Sequence, residues 1–233
     1  MKLITVSAGL STPSATRLLA DRLTEAACAE LAARPAGTTA YEAGAPAPGS
    51  DAAPGGGGTT RGVVRDVRAE VLELRELAGD IARHLVTGFP PPRLATAIDA
   101  VTRADGLIAV TPVFAASYSG LFKSFFDLID PGALTGTPVL IAATGGTARH
   151  SLVLDHALRP LFAHLRTTVA PTGVYAASGD WGSGGDTYTD GLPARIRRAG
   201  GELAALVAAR PPRSEHEDDD AALERQLADL RFD

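Results

Sequence analysis

Short apolar runs recur along the chain and alternate with longer segments that carry apolar residues at helical spacing. The runs cover residues 3–7, 67–74, 106–111, 138–144 and 169–176. Such continuous runs predict strands that are buried on both faces, as in a parallel sheet. The periodic segments predict helices over residues 15–33, 75–86, 94–104, 119–129, 150–165 and 192–209.

This alternation predicts an α/β fold, and specifically a flavodoxin-like, doubly wound, five-stranded parallel sheet with helices on both faces. In sheets of this kind, ligands bind outside the carboxyl ends of the strands, near the point where the strand order reverses. Three loops follow strands in this way, at residues 7–16, 112–119 and 144–150. Any functional site is therefore expected among these loops.

Two segments differ from the rest of the chain in composition. Residues 34–62 are rich in Gly, Pro, Ala and Thr and nearly lack large apolar side chains. Such a segment cannot bury enough surface to offset its chain entropy, so it predicts a flexible insertion. We therefore expect one domain over residues 1–210, containing this insertion, and an acidic tail over residues 211–233, where "SEHEDDD" occurs.

Charge and cysteine content narrow the class of protein. The net charge is −5, from 27 acidic and 22 basic residues, which gives no reason to expect nucleic acid or an acidic membrane surface as a partner. The single cysteine, Cys28, excludes an intrachain disulfide and fits a reducing compartment such as the cytoplasm. The start "MKLITVSAGL" lacks the apolar core of a signal peptide, and no segment approaches the length of a membrane span.

The first loop, "SAGLSTPSATR", offers hydroxyl groups and free backbone N–H groups where a helix begins. These groups and the helix dipole favour an anion such as a phosphate. The chain has no GxGxxG and no GxxxxGK[ST] in this loop, so neither a dinucleotide fingerprint nor a P-loop is present. The alternative is ordinary turn and cap chemistry, for which Ser and Pro are also suited.

The loops after the third and fourth strands suit a flat ligand. In "TPVFAASYSG", Pro112 is expected to end its strand, and the aromatic and hydroxyl side chains that follow would bind a planar heteroaromatic ring. The alternative is a hydrophobic loop packed under the next helix or at a subunit interface. In "ATGGTARHS", Gly145 and Gly146 either allow close backbone approach to a flat ligand or supply the positive φ of a strand-to-helix turn. Arg149 and His150 would either meet a second anion or be solvated.

Other chemistries have little support. The five histidines lack metal-ligand spacing with Cys or paired carboxylates, and there is no GxSxG nucleophile motif. We therefore expect neither a metal site nor a catalytic nucleophile.

Together, "TPVFAASYSGLFK" and "ATGGT" resemble the NADPH-dependent FMN reductase family of flavodoxin-like proteins, and most closely the flavin reductases of two-component monooxygenase systems. The resemblance covers residues 2–33 and 67–178, and excludes the insertion and the tail. It implies that FMN is contacted by Ser11, Ser14, Ala15, Thr16, Pro112, Val113, Phe114, Ser117, Tyr118, Thr144, Gly145 and Gly146.

Within that set, the resemblance implies different roles. Ser11, Ser14 and Thr16 would hold the FMN phosphate, residues 112–114 would line the ribityl chain and ring edge, and residues 144–146 would approach the pyrimidine end. Two positions depart from the family pattern. Ala15 stands where relatives often have a hydroxyl or a basic side chain, and Phe114 stands where relatives commonly have Tyr.

The resemblance also implies how Tyr118 and Lys123 are used. Tyr118 would be associated with a π-bulge in the helix that follows it, and would control whether FMN stays or leaves near a subunit interface. Its alternative role is to pack at an oligomer interface and hydrogen-bond a partner carbonyl. Lys123 is expected to have a structural role, such as an interface salt bridge.

The implied activity is hydride transfer from NADPH or NADH to FMN with no catalytic side chain, because the cofactor carries the chemistry. Reduced FMN would pass to a flavin-dependent monooxygenase or another acceptor, and the protein would be a homodimer or homotetramer. One alternative is an FMN-bound reductase of quinones, azo compounds or metal oxyanions. Another is a non-enzymatic FMN-binding electron carrier.

Overall fold

The computed structural model describes residues 1–34, 66–182 and 191–211. The expected insertion over residues 34–62, apart from Arg34, lies outside the described residues. So does the expected acidic tail, apart from Pro211.

The described strands form one sheet. They are β1 (Lys2–Ser7), β2 (Arg68–Glu73), β3 (Gly106–Phe114), β4 (Ser117–Tyr118), β5 (Pro138–Gly145), β6 (Thr168–Val169) and β7 (Val174–Ala177). The order is β2-β1-β3-β5, with β6 and β7 both paired to β5, and every pairing except that of β3 with β4 is parallel. Counting β6 and β7 as one interrupted strand gives the flavodoxin-like order. The predicted fold class is confirmed, with seven strands rather than five.

Helices cover both faces of the sheet, as predicted. They are α1 (Ala15–Ala33), α2 (Ala78–Thr87), α3 (Pro92–Thr102), α4 (Gly120–Phe126), α5 (Arg159–His164) and α6 (Leu192–Ala209). The side chains of α1 and α6 pack on one face of the sheet in one core cluster, while those of α2 to α5 pack on the other face in a second cluster. Successive residues of a strand point to opposite faces, so Leu3 lies in the first cluster and Ile4 in the second. No helix within residues 1–34, 66–182 or 191–211 is long and apolar enough to span a bilayer.

Pro112 does not end the third strand, contrary to expectation. The strand continues to Phe114, and Pro112 stays in register with Thr144 of β5. The carbonyl of Val110 accepts from Ala8 N at 2.9 Å, so Val110 and, two residues later, Pro112 face the β1 side. Because β1 ends at Ser7, the missing N–H of Pro112 costs the sheet no hydrogen bond.

Beyond Pro112 the chain turns back sharply in a hairpin. Phe114 pairs with Ser117, and Ala115 and Ala116 between them have φ of 48° and 65°. Positive φ at both central residues is the pattern of a type I′ turn, which suits the twist of a two-residue hairpin. Alanine is an unusual residue there, because its Cβ is strained in the left-handed region.

The fifth predicted strand, over residues 169–176, is interrupted. Pro171 has no N–H, and side chains take up backbone groups around it. Arg159 donates to the carbonyls of Ala170 (3.5 Å) and Pro171 (3.2 Å), and Glu202 accepts from Thr172 N at 2.7 Å. In the segment that joins β6 to β7, these side-chain contacts take the place of backbone pairing with β5.

The helix predicted over residues 150–165 is a succession of a 3₁₀ turn (Ala148–His150), a π turn (Leu154–Leu158) and α5. In the π turn, Arg159 N–H donates to the carbonyl of Leu154, five residues back. Pro160, one residue later, has no N–H with which to close the next α turn. The π turn therefore lies directly before Pro160, where an α-helical hydrogen bond cannot form.

The helix after Tyr118 is instead α-helical, so the expected π-bulge is wrong for this chain. Lys123 N donates to the carbonyl of Ser119 at 3.2 Å, and Asp127 N to the carbonyl of Lys123 at 2.9 Å, both four residues back. The buried Ser119 side chain caps this helix by accepting from Phe122 N. A side-chain cap and unbroken four-residue spacing leave no extra residue for a bulge.

Candidate functional site

The three loops singled out from the sequence meet at one edge of the sheet. Strands β1, β3 and β5 are adjacent and parallel, so their carboxyl ends lie side by side. A direct contact joins the first loop region to the last, since Thr16 Oγ1 on α1 lies 2.8 Å from Thr144 Oγ1 at the end of β5. Both threonines are buried, so this hydroxyl pair holds the start of α1 against the sheet edge.

The start of α1 offers unpaired donors. Ser14 caps the helix, as predicted: its Oγ accepts from Arg17 N at 3.2 Å, and its carbonyl accepts from Leu18 N at 3.0 Å. The N–H groups of Ala15 and Thr16 have no acceptor among the described residues. Free N–H groups at the positive end of a helix, with hydroxyls beside them, favour an anion.

Gly9 allows the loop to pass close to the helix start. A Cβ on Gly9 would lie 2.1 Å from Ser14 Oγ and 3.1 Å from Thr16 Cβ. A side chain at this position would displace the two hydroxyl-bearing residues that border the free N–H groups. Gly9 therefore keeps this end of α1 compact.

An ionic network borders the first loop, and reasoning from the sequence missed it. Glu73, the last residue of β2, accepts from Arg17 Nη1 at 2.5 Å and from Arg75 Nε at 2.8 Å. Arg17 also binds Asp21, and this hydrogen bond is the main cause of the raised pKa of the Arg17 guanidinium. Arg75 donates further to the carbonyl of Ser11 at 3.1 Å and to the hydroxyl of Thr12. The sequence did contain one indication of this network, because Arg75 follows directly after a predicted strand and so lies at the same edge of the sheet as the first loop.

The hairpin formed by the end of β3 and by β4 brings an apolar surface to the same edge. The Phe114 side chain is 48% exposed, and Val113 and Tyr118 are half-buried partners across the hairpin. Tyr118 packs toward the core, with its ring centroid 6.0 Å from that of Phe122. The buried Thr111 hydroxyl accepts from Ser119 N at 3.0 Å, which fixes the base of the hairpin.

Gly145 and Gly146 differ in their surroundings. A Cβ on Gly145 would lie 2.0 Å from the hydroxyl oxygen of Tyr175, whereas a Cβ on Gly146 would meet no atom within 4 Å. Tyr175 is buried and donates to the carbonyl of Thr147 at 2.8 Å. Burial, followed by the negative charge of Asp180, raises the pKa of the Tyr175 phenol. Tyr175 thus supports the loop from inside, and Gly146 presents bare backbone outward.

Not every candidate residue is directed into this edge. The Ser11 hydroxyl donates to the carbonyl of Pro13 at 3.0 Å on the exposed rim. Arg149 and His150 are also exposed, on the 3₁₀ turn. Lys123 forms a salt bridge with Asp127, the residue that follows α4, and so points along its own helix.

The edge as a whole offers anion donors at one end and apolar surface with bare backbone at the other. The free N–H groups lie beside the Ser14 and Thr16 hydroxyls, while the Phe114 side chain and Gly146 are exposed. These two kinds of surface, joined through the Thr16–Thr144 contact, suit a planar ligand that carries a phosphate. The donor set therefore fits FMN.

Comparison with known proteins gives the same kind of ligand. The family model for NADPH-dependent FMN reductase matches residues 56–182. The chain is 44% identical to an "FMN reductase (NADPH)" of Pseudomonas aeruginosa over 147 residues, which is 62% of this chain and 77% of the relative. It is 43% identical to the "NADH-dependent FMN reductase SfnF" of Pseudomonas fluorescens over 140 residues, or 60% of this chain and 74% of the relative.

A solved structure of an oxidoreductase from Corynebacterium diphtheriae is similar over almost its entire length. The identity is 41% and the TM-score 0.72, and the match covers 90% of this chain and 98% of that one. The family match, the identity to curated relatives and the shared fold agree with one another. The chain belongs to the NADPH-dependent FMN reductase family, whose members are flavodoxin-like oxidoreductases that use FMN with a nicotinamide donor.

Proposed function

We propose that the protein is an NAD(P)H-dependent FMN reductase that takes up FMN as a substrate and passes reduced FMN to a flavin-dependent monooxygenase or another acceptor. The observation that carries this proposal is that Thr144 contacts Thr16 at the start of α1 and is in register with Pro112, next to the exposed apolar hairpin, so that anion donors and apolar surface share one sheet edge. Family membership identifies the phosphorylated planar ligand as FMN.

Each part of the edge has a role in this proposal. The N–H groups of Ala15 and Thr16 and the hydroxyl of Ser14 hold the phosphate. Residues 112–114 line the ribityl chain and ring edge, with Ser117 and Tyr118 behind them on the hairpin. The backbone of residues 144–146 lies along the pyrimidine end, where N–H donors favour negative charge on the ring.

FMN, when bound, supplies the redox chemistry by accepting a hydride from the nicotinamide ring. The side chains of this edge bind and orient, and no acid or base is required of them. Phe114 provides an exposed ring at the sheet mouth that shields one side of the ligand from water. The relatives' names include both NADPH-dependent and NADH-dependent enzymes, so both donors belong in the test.

The resemblance further supports a homodimer or homotetramer, with the flavin site completed near a subunit interface and Tyr118 close to it. A cytoplasmic location accords with a single, half-buried cysteine.

The test is oxidation of NADPH and of NADH by the purified protein, followed by absorbance, with free FMN varied from none to saturation. We expect a rate that rises from near zero and saturates with FMN. If the protein is purified yellow, and if its rate does not change with added FMN but requires a quinone, the protein is instead a quinone reductase with permanently bound FMN. If neither NADPH nor NADH is oxidised under any condition, the remaining interpretation is a non-enzymatic FMN-binding electron carrier.

A matched pair of variants locates the site in the same assay. Phe114→Ala removes the exposed ring at the sheet mouth, and we expect the KM for FMN to rise about tenfold. His164→Ala removes an exposed ring at the end of α5, close to the start of β6 and the amino ends of the strands, and should leave that KM unchanged. Equal KM values for both variants would exclude the hairpin from the FMN site.

A further inference from the structure

Arg75 links two parts of the chain that are 64 residues apart in sequence. Its Nη1 donates to the carbonyl of Ser11 and to the hydroxyl of Thr12, while its Nε pairs with Glu73. The Arg75 side chain is 27% exposed and that of Glu73 14%, so this ion pair is partly buried, whereas the bonds of Arg75 to Ser11 and Thr12 lie at the surface. Charge-assisted hydrogen bonds are stronger than those between neutral groups.

Glu73 also holds the other side of the same loop. Its second carboxylate oxygen accepts from Arg17 Nη1, and the backbone N–H of Arg17 donates to the Ser14 cap. One carboxylate therefore connects, through two guanidinium groups, the segment before the cap and the first turn of α1. The loop between them is held at both ends by residues that lie outside it.

This arrangement also orients a backbone donor. The carbonyl of Ser11 points to Arg75, and in a trans peptide the following N–H, that of Thr12, points the opposite way. The Thr12 hydroxyl accepts from Arg75, which leaves its own hydrogen to donate elsewhere. Arg75 thus occupies the Ser11 carbonyl and the Thr12 hydroxyl oxygen as acceptors, and leaves the N–H and the hydroxyl hydrogen of Thr12 available for an anion.

We propose that Glu73 and Arg75 are positioning residues that make the enzyme select flavin carrying a 5′-phosphate over riboflavin. The inference rests on the proposed function, because it assumes that FMN places its phosphate against this loop. Riboflavin has the same ring and ribityl chain and lacks only the phosphate. A loop held in advance with its donors outward lowers the ordering cost of binding that phosphate and gives riboflavin no advantage.

The experiment compares FMN and riboflavin as substrates for the wild-type protein, Arg75→Gln, Arg75→Lys and the control Arg103→Gln. Arg103 pairs with Asp99 at 2.9 Å at the end of α3, away from the loop, and is a matched surface ion pair. For Arg75→Gln we expect the KM for FMN to rise about tenfold, with kcat for both flavins and the KM for riboflavin within about twofold of wild type. Arg75→Lys, which keeps the charge but cannot make all three contacts, should fall between.

Flavin fluorescence quenching measures the dissociation constants of FMN and riboflavin for the same variants. These constants test the selectivity even if riboflavin is bound but not reduced. An equal rise for both flavins in Arg75→Gln would show a merely structural residue and overturn the proposal. Unchanged FMN binding in Arg75→Gln, or a wild-type protein that binds both flavins equally, would overturn it as well.

The inference and the function on which it rests fail in different ways. If the wild-type protein does not reduce FMN, the proposed function fails before any variant is compared. If it reduces FMN and Arg75→Gln behaves like Arg103→Gln, only the assignment of Arg75 fails.

Discussion

At the residue scale, Gly145 has a reason inside the protein for lacking a side chain. The hydroxyl of Tyr175 occupies the position that a Cβ would need, and the ring is held by its hydrogen bond to the Thr147 carbonyl. From the sequence, Gly145 and Gly146 are equivalent candidates for close approach to a ligand. The structure separates them, because only Gly146 has open space beside it.

Gly145→Ala should destabilise the fold by roughly 1–3 kcal/mol, because the new methyl group overpacks against a buried tyrosine. Tyr175→Phe should cost about 1 kcal/mol through the lost hydrogen bond. In the Tyr175→Phe background the nearest remaining ring atom would be Cζ, at 3.1 Å from the new Cβ, so Gly145→Ala should cost less there. Urea unfolding of the four proteins measures this coupling.

Gly146→Ala is the control for that cycle, since its Cβ meets nothing within 4 Å. Its effect on the free energy of unfolding should stay within about 0.5 kcal/mol. If Gly145→Ala cost the same in the wild-type and Tyr175→Phe backgrounds, the contact with the hydroxyl would not be what excludes a side chain.

Reasoning from the sequence succeeds for residues whose partners are close in the chain. Ser14 is recognised as a cap because a short polar residue precedes an apolar periodic segment, and its bond is to Arg17 three residues later. Arg75 and Tyr175 are not recognised, because the loops they support lie 64 and 28 residues away. Contacts over such distances depend on how the strands are ordered, which no local pattern specifies.

At the scale of elements, the hairpin after β3 shows a similar limit. Its two central residues are alanines, and no Asn or Gly marks the turn in the sequence. The pattern therefore predicts one irregular loop, and the antiparallel pairing of Val113 with Tyr118 is missed. Pro112 misleads in the same way, because its effect on a strand depends on which neighbour it faces.

Ala116→Gly should stabilise the protein by roughly 0.5–1 kcal/mol. Glycine relieves the strain of φ at 65°, and part of that gain is lost to the greater freedom of glycine in the unfolded chain. Thermal and urea unfolding measure the change.

Ala82→Gly is the control for Ala116→Gly, because the same substitution should here lower the free energy of unfolding instead of raising it. Ala82 is exposed within α2, where the same substitution should cost about 1 kcal/mol. If both variants lost stability to the same extent, the hairpin turn would carry no strain at Ala116.

At the scale of the whole molecule, the alternation of apolar runs and helices was enough to predict the doubly wound sheet. Each apolar run indicates a strand that is buried on both faces. The structure accordingly has two core clusters, one on each face of the sheet. The order of strands came from the flavodoxin-like class rather than from any run. The split of the last strand came from neither, because it depends on Arg159 and Glu202 reaching its backbone.

The sequence predicts that the folded domain ends near residue 210. The buried residues of α6 end at Val207, and Arg210 N closes the helix on the carbonyl of that residue. A chain that stops after Pro211 should therefore keep its melting temperature within about 2 °C and its KM for FMN, since it retains every buried residue of the part of the chain that the structure describes. A chain that stops after Glu202 lacks the buried Leu203, Ala204 and Val207, and should lose roughly 3–6 kcal/mol or fail to fold. Calorimetry and the FMN-dependent assay compare the two with the full chain. A large loss from the first truncation would place residues beyond 211 inside the folded unit and move the boundary.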